Sequence, residues 1–241
     1  DAPRRWGLRT ADPERRRVSH GRSGPRVAVI HAVPGAIDPI GEAFAAVWPE
    51  ARIDNLLEES LSTDLAEAGT ENTAIQERIA DLAAYVTKAG AEAILYSCSA
   101  FGTSIDRVKR SSSLPVLKPN EAMIDEALDL GPRIGVVATF APTLESMRPE
   151  FKDQAHQRGI DLRLEEYFVP NAMDALNSGE AERHDALIAE AAATLGGCDA
   201  IVLAQFTMAR ARPAVEAATT TSVLTSPDSA VARLKHIWQT R

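Results

Sequence analysis

The sequence predicts an α/β protein of two pseudo-symmetric halves, each a small parallel sheet with flanking helices, and a cleft between them. Three observations lead there. Short apolar runs bounded by turn residues alternate with amphipathic stretches of helical spacing, the pattern of βαβ units around a parallel sheet. The chain also repeats itself at an offset of 107 residues. Arg26–Ile30 falls on Arg133–Val137, Ile53-Asp54 on Ile160-Asp161, Leu57-Glu58-Glu59 on Leu164-Glu165-Glu166, Ala93–Cys98 on Ala200–Gln205, and Val116-Leu117 on Val223-Leu224. Solenoid repeats have periods of about 20–50 residues, so an offset this long means two copies of one small domain. Thirdly, right-handed crossovers gather the strand ends on one edge of each sheet, which sets Cys98 opposite Gln205 if the halves pack face to face.

Along the first half, Val27–His31 is an apolar run that ends before the turn residues Pro34-Gly35, and Ile37–Val47 has helical spacing. Arg52–Leu57 reads as a second strand. Thr73–Lys88 carries Ile75, Ile79, Leu82, Ala83 and Val86 on one helical face, with Gly90 where a helix C-terminus favours glycine. Ala93–Ser97 is continuously apolar up to its last residue, as expected of a strand buried on both faces. A helix is expected after Gly102, then a short strand at Pro115–Leu117 and a helix over Asn120–Leu130. The second half repeats the plan. Strands are expected at Ile134–Ala138, Asp161–Glu165, Ala200–Ala204 and Ser222–Leu224. Its helices start at about Thr143 and run over Glu182–Leu195 and Asp228–Gln239. The organisation read from this is a leader at 1–24, a first half at 25–121 with the helix 228–241 packed on it, and a second half at 122–227.

Composition narrows the function. The 241 residues suit one or two domains with a proper core, and 45% hydrophobic with 25% charged residues is ordinary for a globular chain. The net charge is −8, although residues 1–24 hold seven arginines against Asp1, Asp12 and Glu14. An acidic body argues against nucleic acid or an anionic membrane as partner. The leader lacks an apolar core and contains Pro3, Pro13, Gly21 and Gly24, which points to a disordered extension more than to a transit peptide or a nucleic-acid arm. No apolar run approaches the roughly 18–20 residues that span a bilayer. Two cysteines beside apolar strands make no disulfide framework, so a reducing cytoplasm is the expected setting.

The chemistry gathers at the strand ends. Ser97-Cys98-Ser99-Ala100-Phe101-Gly102-Thr103 follows a buried strand and precedes a helix, where backbone N–H groups and the helix dipole favour an anion. A thiol there is expected to have a lowered pKa. The plain alternatives are an inert buried cysteine and, for Ser99, a helix cap. Cys198 stands at the opposite edge and reads as structural. Thr139-Phe140-Ala141-Pro142-Thr143 closes the second half's first strand, its threonines either binding substrate or capping the next helix. His31-Ala32-Val33-Pro34-Gly35 is the matching turn, with His31 either a general acid or base or a hydrogen-bonded structural residue. No Gly-rich nucleotide loop occurs, and the five histidines have no metal-ligand spacing, so neither cofactor nor metal is expected.

The duplicated halves, the strand–Cys-Ser-Ala-Phe-Gly turn at 98–102 and the strand–Gln-Phe-Thr-Met-Ala turn at 205–209 resemble the aspartate/glutamate racemase superfamily, which includes hydantoin racemases, maleate isomerase and arylmalonate decarboxylase. The resemblance covers residues 26–241. It implies a cofactor-independent, isomerase-type enzyme acting at the carbon next to a carboxylate. It also implies that one cysteine from each half flanks that carbon, the first being Cys98. The second position is Gln205, an amide that carries no exchangeable acid proton near neutral pH. Phe140 likewise stands where some members have a tyrosine. Cys98 and Gln205 are therefore the catalytic candidates, with Ser97, Ser99, Ala100, Thr139, Phe140, Thr143, Phe206, Thr207, Pro34 and His31 around the substrate. The expected partner is a small carboxylate, and a homo-oligomer is allowed. A racemase or isomerase leads; a single-thiol decarboxylase and a non-catalytic acid binder that lost its second cysteine are the alternatives.

Overall fold

The computed structural model describes residues 24–241, so the expectation for the leader falls, Gly24 apart, outside the described residues. The first half contains β1 (Arg26–His31), α1 (Ile37–Val47), β2 (Arg52–Leu57), α2 (Ser60–Ala68), α3 (Thr73–Lys88), β3 (Ala93–Tyr96), α4 (Gly102–Ser111), β4 (Val116–Leu117) and α5 (Glu121–Leu130). The second contains β5 (Arg133–Ala138), α6 (Ala141–Arg158), β6 (Arg163–Phe168), α7 (Ala172–Asn177), α8 (Ala181–Ala193), β7 (Ala200–Leu203), α9 (Arg212–Ala218), β8 (Ser222–Thr225) and α10 (Ser226–Gln239). Each half has one four-stranded sheet, in the orders β2-β1-β3-β4 and β6-β5-β7-β8. Every pairing is parallel. This is the duplicated α/β architecture expected from the repeat.

The register shows where the 107-residue offset holds. Val27 pairs with Ala93 and Ile134 with Ala200; Ile94 pairs with Val116 and Ile201 with Val223. Each member of the second set lies 107 residues beyond its counterpart. The second strands break the rule, because Arg26 pairs with Arg52 but Arg133 pairs with Arg163, an offset of 111. The expected strand Asp161–Glu165 is therefore corrected to Arg163–Phe168. The cause is α6, whose last residue, Arg158, overruns the counterpart of Val47 by four positions and delays the strand. Shorter α7 and α8 then restore the offset before β7. Pro149 lies inside α6 without ending it.

Packing exchanges the two outer helices. The helix α5 follows the first sheet, yet Met123, Ile124, Ala127 and Leu128 are buried with Ile134, Val136 and Val202 of the second. The helix α10 follows the second sheet, yet Ala230, Val231 and Leu234 are buried with Val27, Val29 and Leu95 of the first. Around twenty fully buried aliphatic and aromatic side chains joined this way make each half dependent on the other's helix, since each Leu- or Ile-sized side chain contributes roughly 1.5–3 kcal/mol. The two exchanged helices also touch: Ser226 donates to Asn120 Oδ1 at 2.8 Å and Ser229 to Glu126 Oε2 at 2.7 Å. Phe206, just past β7, lies in the first half's cluster with Ala36 and Ile40. The turn after β1 and the turn after β7 thus meet, and the carboxyl edges of the two sheets converge.

Candidate active site

Cys98 and Gln205 occupy equivalent places with equivalent backbones. Cys98 (φ −122°, ψ 120°) leads from β3 into a 3-10 turn at Ser99–Phe101, and Gln205 (φ −131°, ψ 146°) leads from β7 into one at Phe206–Ala211. Both preceding strands are buried at every residue, which anchors the two positions at the rim of a rigid sheet. Both side chains are half-buried.

Burial pushes the Cys98 thiol above the ordinary cysteine value, and the Ala100 N–H donated to its sulfur opposes only part of that rise. The lowered pKa expected from the helix start is thereby corrected. Among the described residues two donors of that start are already engaged, because Thr103 N and Ser104 N donate to the Glu71 carboxylate at 3.3 and 3.1 Å. The Ser104 hydroxyl donates to the same carboxylate. Losing water therefore costs the thiolate more than one sulfur-directed N–H returns. The resting side chain at neutral pH is the thiol. Cys198 is also a free thiol, buried at the amino edge of β7 with its sulfur near the backbone of Gly135, and burial raises it too.

Gln205 is fixed from one side. Its Oε1 accepts from the Thr139 backbone N–H at 2.7 Å and from the Thr139 hydroxyl at 3.0 Å. A backbone N–H can only donate, so the facing atom is the oxygen and the –NH₂ points elsewhere. Gln205 is accordingly an oriented hydrogen-bond donor. Thr139 is consumed in orienting it and does not cap α6, whose start has no side-chain cap; the same is true of the turn at Ser99 and of α4.

His31 has no exposed surface. Its Nε2 lies 2.9 Å from Asn55 Oδ1 and its Nδ1 2.9 Å from Ser97 Oγ. An amide oxygen only accepts, so Nε2 carries the proton and Ser97 donates to Nδ1. Burial lowers the histidine's pKa against the opposing Asn55 bond, which keeps the ring neutral. Both nitrogens are thus engaged, and the ring ties the ends of β1 and β2 to Ser97 just past β3, the hydrogen-bonded structural place that the sequence allows for it. Phe206 is buried in the first half's core. Its ring anchors the Gln205 turn there.

The other named residues spread over the rim. Pro34, Ala100 and Phe140 are exposed, Ser99 and Thr143 half-buried, and Ser97 buried against His31. The Thr207 hydroxyl oxygen is buried without any hydrogen-bond partner, an expensive state unless a ligand engages it. Sequence reasoning missed Asn55 and Glu71. Asn55 interrupts a strand with a polar residue facing the His31 ring, a signal that was readable; Glu71 sits in a loop and gave none.

Among the described residues no group of three or more metal-ligating side chains occurs, and no helix is long and apolar enough to cross a membrane. A cavity of about 770 Å³ lies away from Cys98, lined by Asp106, Lys118, Glu121, Asp125, Glu150 and Arg233 among others. Its charges largely pair with each other, Lys118 with Asp106 at 3.1 Å and Lys109 with Glu121 at 2.7 Å.

Comparison with known proteins agrees with this fold. The family model described as Asp/Glu/Hydantoin racemase matches residues 40–234. A sequence search of curated proteins finds no match. The fold is similar to that of an aspartate racemase homologue from Pyrococcus horikoshii, with TM-score 0.67 and 13% identity over 89% of this chain and 99% of that one. An allantoin racemase from Klebsiella pneumoniae gives 0.64 and 20% over 90% and 89%. A glutamate racemase from Bacillus anthracis gives 0.64 and 13% over 91% and 83%. At such identities the likeness to each structure is one of fold.

Proposed function

The chain belongs to the Asp/Glu/Hydantoin racemase family, and we propose that it is a cofactor-independent racemase/isomerase-type enzyme acting at the carbon next to a carboxylate, with Cys98 as its proton carrier. The observation that carries this reading is the asymmetry at equivalent strand ends: a half-buried free thiol in one half, an amide locked as a donor in the other. The substrate carboxylate is held by neutral donors, namely the Gln205 –NH₂, the unpartnered Thr207 hydroxyl and backbone N–H groups of the strand-end turns. The Cys98 thiolate takes the proton from the α-carbon, becoming the thiol. The electron pair moves into the carboxylate as an enediolate, and the donors strengthen their bonds as its oxygens gain charge. The thiol then returns a proton to the planar intermediate; return to the original face is exchange, and inversion needs the intermediate to turn its other face to Cys98, so racemisation is the slower outcome.

Because the thiol is raised by burial, the reactive thiolate is a minority species that grows with pH. Catalysis through it rises about tenfold per pH unit until the thiol's own pKa is passed, above the ordinary cysteine range. The test is deuterium uptake at the α-carbon of small carboxylic acids in heavy water, followed by NMR against pH. Cys98→Ser should cut the rate by about 10²–10⁴-fold with the fold intact. Full exchange by that variant would end the proposal and leave a binding protein. A neutral thiol is also suited to delivering a proton to a carbanion made by loss of CO₂, the decarboxylase reading. Release of CO₂ from a disubstituted malonate by wild type, with product of one handedness, would select it.

A further inference from the structure

The helix that follows Cys98 starts without a cap of its own. The N-cap position of α4 is Phe101, whose ring is buried in the first half's core and offers no acceptor. The cap comes from 32 residues earlier in the chain. Glu71 takes the Thr103 N–H on one carboxylate oxygen at 3.3 Å and the Ser104 N–H on the other at 3.1 Å, and the buried Ser104 hydroxyl donates to it as well. Two neighbouring caps fix the loop that carries Glu71. Gly69, in the left-handed region at φ 72°, closes α2, and Asn72 Oδ1 accepts from the Ile75 N–H at 3.0 Å to open α3. Glu71 stands between them, half-buried against the start of α4.

A carboxylate there competes with a thiolate for one field. The first turn of a helix carries roughly half a positive charge, and a cysteine at a helix start ordinarily ionises more readily on that account. Cys98 has the place, with α4 beginning just past its 3-10 turn, yet lacks the effect: burial pushes the thiol up and the Ala100 N–H alone opposes it. The charge of Glu71 more than offsets the half-charge of the helix end, so the sulfur meets a field already spent. Other charges on this edge are placed differently. Asp38, Glu59 and Glu145 are exposed to water, Glu58 pairs with Arg78 at 3.2 Å, Arg210 binds Asp185 at 3.0 Å, and the neutral His31 reaches the turn through Ser97. Among the described residues, none of these bonds a backbone N–H of the Cys98 turn or of the start of α4.

We infer that Glu71 is a positioning residue that keeps Cys98 in its proton-bearing form, by occupying the helix start that a thiolate would otherwise use. Its consequence for turnover rests on Cys98 being the proton carrier. Removing the charge while keeping the loop in place should make the thiolate commoner at every pH below its midpoint.

The test is the pH dependence of Cys98 alkylation by iodoacetamide in the full chain, followed by mass spectrometry with Cys198 in the same sample as reference. Glu71→Gln keeps an acceptor oxygen and removes the charge. From the usual strength of a charge at a helix end, Cys98 should then react about two- to fivefold faster below its midpoint, with the high-pH plateau unchanged. Glu71→Ala also frees the two N–H groups and should move the midpoint at least as far. Ser104→Ala loosens the contact, leaves the charge, and should leave the midpoint in place. A midpoint unmoved in both Glu71 variants would overturn the inference. So would a rise in the plateau alone, or an equal displacement in Ser104→Ala, since either means a loosened loop and not a removed charge. α-Deuterium exchange is read on the same variants. A displaced alkylation midpoint with no exchange in any of them, wild type included, upholds the role of Glu71 and removes the catalytic reading. Exchange with an unmoved midpoint does the reverse.

Discussion

Replacing Gln205 with cysteine asks directly whether the missing second thiol limits the chemistry. The structure sets what the change costs. Gln205 Oε1 accepts two hydrogen bonds from Thr139, and a cysteine sulfur, on a shorter side chain, cannot meet both donors at their present distance. Each intramolecular hydrogen bond contributes about 1 kcal/mol, and a buried donor left unpaired costs about 1–3 kcal/mol. The expected loss of stability is therefore about 2 kcal/mol, or roughly 4–8 °C in Tm for a chain of this size. The freed donors also have a chemical effect. Their dipoles point toward the new sulfur from beyond hydrogen-bond reach and so favour its thiolate, though less than direct contact would. The assay compares two rates on one enantiomer of 2-phenylpropionate: α-deuterium uptake and loss of optical purity by chiral chromatography. Wild type, with a proton carrier on one face, should exchange with retention and racemise at least about tenfold more slowly than it exchanges. In Gln205→Cys the two rates should approach each other. Wild-type racemisation as fast as exchange would refute the one-face reasoning, since another group would then already serve the second face.

Other expectations follow from packing and charge. Glu150 is pushed up to about 7 by burial, with Lys118 opposing and Asp106 and Glu121 adding to the rise. Its folded pKa lies above the unfolded value of 4.5, so the fold binds the extra proton and stability falls as pH rises from about 4.5 to about 7, by as much as ~3 kcal/mol. Glu150→Gln should flatten urea midpoints across that range and raise the midpoint at pH 8; an unchanged pH profile would contradict it. Phe206→Ala should cost about 3–5 kcal/mol, because the ring joins the Gln205 turn to the first half's core, and should depress exchange along with stability. A midpoint within about 1 kcal/mol of wild type would show that this ring does not join the halves.

How far the sequence could be read follows the strength of burial. The strands β1, β3, β5 and β7 were visible because nearly every residue in them is inside, which forces continuous apolar runs. The edge strand β6 is exposed along most of its length and left no such trace. Its placement leaned on the repeat, and the longer α6 moved it. The short helices α2, α7 and α9 bury few residues each, too few to set a period.

The place of the candidate site was legible for the same reason as the strands, since Cys98 and Gln205 stand two residues past the ends of two of them. What each residue does there was not, because it depends on partners far along the chain. His31 meets Ser97, and Thr139 meets Gln205, each across 66 residues. The two contacts are one architectural device, in which the end of the first strand in a half grips the end of the third. In the first half the grip falls on Ser97 and leaves the next residue, Cys98, with a mobile proton and a single N–H donor. In the second it falls one residue later, on Gln205 itself, and fixes that side chain as a donor. A one-residue difference in where the same strand pair closes thus makes two equivalent positions unlike, a free thiol in one half and an amide fixed as a donor in the other, the pair that the proposed mechanism uses as proton carrier and anchor. The duplicated scaffold supplies the symmetry, and these two contacts remove it at Cys98 and Gln205, as the proposed one-face chemistry requires.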